Sequence, residues 1–188
     1  KSGVAGGVSK GPVVELLVIG FRPTRYVEKI PGGEQGRIFS TESDVFANGG
    51  TTDYKTAHDG PKQIAPYFQA LATALVLVRA PKDFPSDKVE EIFPFECLDA
   101  EGSAVRYGVA QWHLRGSAHT AVARPLKTAR KLGGLKGGYT TKVVTFQIFY
   151  KRFAGSNAAF VPEVSVGVPT SDSQRELASE VLTSLTSG

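Results

Sequence analysis

The sequence predicts a mainly β protein: a small antiparallel barrel with extra hairpins, one inserted basic helix and a C-terminal helix. Three observations carry that expectation. Apolar, β-branched segments recur between Gly-, Pro- and Asn-rich turns, as in hairpin-connected sheets. Helical spacing shows in only two stretches, so there is no regular βαβ alternation. The chain has 188 residues, 41% of them hydrophobic and 21% charged, enough to bury one core without staples. Residues 1–11, "KSGVAGGVSKG", read as a flexible Gly-rich arm, residues 12–170 as the barrel and 171–188 as the terminal helix.

Taken in order, "VVELLVIGF" (13–21) is a buried strand that "TRYVEKI" (24–30) continues past a bend at Pro23. "PGGEQG" is a turn, "RIFS" a short strand and "NGGTTD" another turn, and residues 54–66 form a polar excursion. In "YFQALATALVLVRA" the end, residues 73–79, reads as strand, stopped by Pro81. "AEG" joins "EIFPFECLD" to "AVRYGVAQWHLRG" in a hairpin over 91–115. Ala121, Val122, Leu126, Ala129 and Leu132 recur at helical spacing, with Ser117 as a candidate N-cap, Gly133 as the stop, and Pro125 as the other possible start. "YTTKVVTFQIFYKRF" (139–153) is the clearest strand, and "AGSN" turns it into "AAFVPEVSVGV" (158–168). After Pro169, Ser173 and Glu176 suggest a capping box ahead of an apolar stripe at Leu177, Val181, Leu182 and Leu185. A five-stranded OB barrel elaborated by hairpins suits this element order.

Charge points to partners. The formal net charge is +4, but from Gly102 to Pro162 there are ten Lys/Arg and no Asp or Glu. The rest of the chain holds 12 basic and 18 acidic residues, a balance of −6. So uneven a split attracts polyanions to one surface unless the acidic stretch from Asp83 to Glu101 neutralises it. Arg124, Lys127 and Lys131 share a helix face opposite the apolar stripe, and Arg130 and Lys136 add to the cationic ridge. The glycine pairs at 133–134 and 137–138 lack Walker spacing, so nucleotide hydrolysis is disfavoured and no cofactor is expected.

No apolar run reaches the ~20 residues of a membrane helix. Cys97 is the single cysteine, which excludes an internal disulfide and a thiolate zinc site, suits a reducing intracellular setting (host-cell cytoplasm if viral), and reads as a small buried hydrophobe. His58, His113 and His119 stand at no catalytic spacing, and no enzymatic activity is expected.

The stretch "EIFPFECLDAEGSAVRYGVAQWHLRGSAHT", the basic helix and "VVTFQIFYKRFAGSNAAFVPEV" together resemble, in element order, the phage-type OB-fold single-stranded-DNA-binding proteins over residues 85–168. Many of those end in an acidic tail, whereas this sequence ends "VLTSLTSG". The resemblance implies a non-catalytic protein of replication or recombination that holds single-stranded nucleic acid, DNA first with RNA also open, and that can self-associate. Trp112, Tyr139 and Phe149 would stack bases, and Arg115, Arg124, Lys127, Arg130, Lys131, Lys136, Lys142 and Lys151 would contact phosphates. Two other classes stay open at this point. One is a virion or assembly β-sandwich; the other is a metal-dependent nuclease using Asp44, Asp53 and Asp59.

Overall fold

A computed structural model of the chain describes residues 10–32, 35–152 and 158–187. The structure is mainly β and centres on one seven-stranded antiparallel sheet. Its principal strands are β1 (Lys10–Lys29), β2 (Gln35–Phe39), β5 (Phe68–Arg79), β6 (Phe95–Leu98), β7 (Ala104–Arg115), β8 (Lys142–Arg152) and β9 (Ala158–Pro169). The excursion before β5 holds two short helices, α1 (Glu42–Ala47) and α2 (Tyr54–Ala57), and a small hairpin, β3 (His58–Asp59) with β4 (Lys62–Gln63). A helical turn, α3 (Val89–Ile92), precedes β6.

The spatial order is β6–β7–β5–β1–β8–β9, with β2 added to the far end of β1. β1, β5 and β7 run as successive antiparallel neighbours and β8 returns beside β1, which is a Greek-key course. The expected closed barrel is not formed. No ladder joins β9 to β6 or β7 among the described residues, and the sheet stays open.

β1 is a single strand of 20 residues rather than two with a bend between them. Pro23 has no N–H for the ladder, and the strand absorbs it as a bulge: the register against β5 slips between Arg22 and Arg25. A second slip falls between Val18 and Gly20. Lys10 and Gly11, expected in the arm, are already strand, while residues 1–9 lie outside the described residues. Beside β8, β1 is paired only as far as Leu16; beside β2, only from Tyr26.

Alternation along the strands gives the sheet two buried faces. One carries Leu16, Val18, Ala72, Ala74, Val76, Leu114 and Val144 and is covered by the segment after β7 through Val122, Ala123 and Leu126. The other carries Leu17, Ile19, Leu77, Cys97, Val105 and Tyr107 and is covered by α6 (Asp172–Thr186) through Leu177, Ala178 and Val181. The layers are therefore helix, sheet, helix.

The covering segment changes pitch twice. α4 (Gly116–Ala118) leads into a π-turn at His119–Ala123 and then α5 (Arg124–Lys131). Pro125, with no N–H to donate and a ring that crowds the preceding turn, accounts for the wide turn just before it. The expected continuous helix from Ser117 is thus interrupted at the residues leading into Pro125. The terminal capping box also sits two residues earlier than expected. Ser171 Oγ accepts from Gln174 N at 3.0 Å and Gln174 Oε1 accepts from Ser171 N at 2.9 Å. Ser173 instead accepts from Leu98 N at 3.2 Å, tying α6 to β6. Among the described residues no helix is long and apolar enough to cross a membrane.

Candidate nucleic-acid interface

The basic loop that follows α5 is anchored rather than loose. Leu135, between its glycine pairs, is fully buried in the same cluster as Leu126 and Val144. Its N–H donates to Ala129 O at 3.0 Å, and Gly138 N–H donates to Leu135 O at 3.1 Å. Gly133 and Gly137 hold φ near +87° and +90°, the left-handed region where a side chain is strained. The glycines let Leu135 dive under the helix while Lys136 stays exposed.

Ten cations lie between Gly102 and Pro162, and the side chains of eight are described: all but Lys151 and Arg152. Of these eight, only Arg106 reaches a carboxylate, pairing with Glu90 and Glu96, both at 2.9 Å. The acidic stretch thus neutralises one cation of its neighbour segment. Its other buried-side pair is Asp99 with Arg79, which also holds Glu15 at 2.6 Å.

The sites expected from the sequence divide by face. Trp112 stands on the α5 face, half-buried, with its ring 4.8 Å from Phe146 in an edge-to-face contact. A shallow apolar groove of about 260 Å³ opens there, lined by Val14, Val76, Val78, Ala110, Trp112 and Phe146. Arg124, Arg130, Lys131 and Lys136 are exposed on the same side of the sheet. Tyr139 lies in a 3-10 turn (Tyr139–Thr141) and stacks on Phe21 at 5.5 Å, half-buried rather than free to take a base on both sides. Lys142 opens β8 opposite Pro169.

Lys127 is turned inward. Its Nζ donates to Thr24 Oγ1 and sits 5.9 Å from the centre of the Phe21 ring. Thr24 projects from the β1 bulge, and its hydroxyl also lies 3.1 Å from His119 Nε2. Burial, with Lys131 nearby, lowers the Lys127 ammonium from its ordinary value. Burial, then Lys127 and Arg124, likewise lowers buried His119. A neutral His119 accepts the Thr24 proton through Nε2 while Thr24 accepts from Lys127.

Arg115 falls on the opposite face, opposite Leu71 in the β5–β7 ladder. Phe149 also alternates onto that face, with Val143 and Thr145, away from Trp112. Lys151 shares its parity on β8, but its side chain lies outside the described ones. The expected single groove is therefore two surfaces, and the α5 surface gathers Trp112, Arg124, Arg130, Lys131 and Lys136.

Sequence reasoning missed Arg22, Arg25 and Lys29, all exposed on β1. Pro23 inside the strand was the available signal, because a proline there marks a bulge and a bulge re-aims its neighbours.

Two of the three aspartates considered as metal ligands serve helix starts, and the third, Asp59, lies in the β3–β4 hairpin opposite Lys62. Asp53 caps α2, accepting from Lys55 N at 3.2 Å and Thr56 Oγ1 at 2.7 Å. Asp44 accepts from Thr41 Oγ1 at 2.7 Å at the start of α1. Among the described residues no group of three or more His, Cys, Asp or Glu is placed to hold a metal ion. Cys97 is buried, and burial pushes its thiol up to about 11, far from a reactive thiolate. No protein-family model, curated protein or solved structure matches the chain.

Proposed function

We propose that this protein binds single-stranded nucleic acid without catalysis, with DNA as the first candidate. The observation that carries the reading is the set of cations around α5 that, among the described residues, have no carboxylate partner and lie on the same side of the sheet as the half-open groove at Trp112 and Phe146. Unpaired like charges held on one surface repel one another, and a polyanion relieves that repulsion while releasing its counterions. The groove at Trp112 and Phe146 offers apolar surface to an unstacked base, whereas a duplex keeps its bases covered. Arg124, Arg130, Lys131 and Lys136 supply the phosphate contacts on the same side. The Greek-key sheet with a helical segment between β7 and β8 supports a partly open OB arrangement, a scaffold suited to extended oligonucleotides.

Tryptophan fluorescence tests this, since Trp112 is the only tryptophan. Titration with an oligothymidylate at low salt is expected to quench Trp112, and the matching duplex to leave it nearly unchanged. Equal responses to single strand and duplex, or no response to either, overturn the reading.

A further inference from the structure

Residues three apart on a regular strand point to opposite faces. Arg22 and Arg25 do not, because the bulge lies between them. Arg22 stands opposite Thr73 and Arg25 opposite Leu71, two residues apart on β5 and so on one face. Across the next strand, Thr73 stands opposite His113 and Leu71 opposite Arg115. Two parallel rows result: Arg22–Thr73–His113 and Arg25–Leu71–Arg115. Strand geometry sets the rows about 7 Å apart and the ends of each row about 10 Å apart. Lys29 adds a fourth cation at the margin, sharing a small depression with Val27, Gln69, Leu71 and Arg115.

This is the face that α6 covers elsewhere, and the cations of the two rows stay exposed. Leu182 lies beside Gly20, which pairs with Leu75, one row before Arg22. Arg22, Arg25, Lys29, His113 and Arg115 are exposed, and none of the four cations forms an ion pair among the described residues. The nearest carboxylate in sequence, Glu28, is held by Arg37 at 2.8 Å. Beside the cations the apolar side chains are half-buried Leu71 and Val27 and, opposite Val27 on β2, the exposed Ile38, so the patch is a cationic surface with a small apolar margin.

We propose that this open half of the sheet is a second phosphodiester-binding surface, on the side opposite Trp112. A single strand of nucleic acid lies across the two rows, with its phosphates on Arg22, Arg25, Arg115 and Lys29. Three of the four are arginines, whose planar forks take two phosphate oxygens at once. Thr73, His113 and Gln69 supply further hydrogen-bonding groups between them. The proposal rests on the nucleic-acid reading above and extends it to the other face.

Adjacent residues on β7 provide the test, because Trp112 reports the α5 face and His113 the arginine face. The whole chain is titrated with a 15-residue oligothymidylate while NMR follows the Trp112 indole and the His113 ring signals together. Movement of both signals is the expected result. Movement of Trp112 with His113 unmoved overturns the second surface and leaves the general reading standing. If neither moves, the nucleic-acid reading itself fails. A His113 response to an oligoglutamate peptide but not to the oligonucleotide assigns the patch to an acidic protein and overturns the proposal. In the double variant R25A/R115A, the slope of log affinity against log salt is expected to become shallower by roughly 1.4, two phosphate contacts' worth. An unchanged slope in a normally folded variant also overturns it; should the variant misfold, the His113 readout on the wild-type chain decides.

Discussion

Gln174 Nε2 donates to the Tyr107 hydroxyl at 2.7 Å, and both side chains are buried between α6 and the sheet. The same glutamine closes the capping box through its Oε1, so one side chain starts the helix and fastens it to β7. Burial pushes the Tyr107 phenol up to about 12, so it remains a neutral donor and acceptor throughout the physiological range.

Removal of either partner leaves a buried polar group alone, which costs about 1–3 kcal/mol. Tyr107→Phe is therefore expected to destabilise the fold by about that amount in urea unfolding. Gln174→Leu should cost at least as much, because it also opens the capping box. The double variant should cost less than the sum of the two singles; full additivity would mean that the bond is not made.

Lys127 and Lys131 lie one turn apart on α5 and have different work. Lys127→Met loses the bond to Thr24 and the contact over Phe21, an expected cost of about 1–2 kcal/mol in stability. Lys131→Ala touches no such network and should change stability by less than about 0.5 kcal/mol while weakening nucleic-acid binding. Thermal unfolding and oligonucleotide titration of the two variants separate these roles.

His119 makes stability depend on pH. Its folded value is lowered, so below its ordinary value near 6.5 the unfolded chain takes up a proton that the folded chain resists. The stability it supplies is complete above about pH 6.5 and declines as the pH falls through that point. Unfolding free energies measured at about pH 7.5 and about pH 5.5 should drop less for His119→Gln than for the wild type. An identical drop in both proteins would assign the effect to other groups.

The elements most legible in the sequence were those whose pattern is local. The run from Tyr139 to Phe153 is β-branched and aromatic without Gly or Pro, and residues 142–152 of it form β8. The apolar stripe at Leu177 and Val181 buries α6 as its spacing requires. What stayed hidden depends on contacts distant in the chain. Leu135 looks like one apolar residue in a glycine loop, and only its insertion beneath α5 fixes that loop. Closure of the barrel turns on whether β9 finds a partner edge, which alternation within β9 cannot decide. Arg22 and Arg25 share the α6 face through two register slips in β1, one between Val18 and Gly20 and one at Pro23, neither of which simple alternation reveals. Trp112 and Phe149 each suit base stacking when read alone, whereas the β1–β8 and β5–β7 registers place them on opposite sides of the sheet.

The central claim is that unpaired cations on this sheet and its helix grip phosphates, and the salt dependence of binding measures that grip most directly. Affinity for a fluorescent single-stranded oligonucleotide, followed by anisotropy from low to high salt, should fall with a log–log slope of roughly −3 to −6, at about −0.7 for each phosphate contact. A slope near zero, with binding unchanged across that range, would contradict the account.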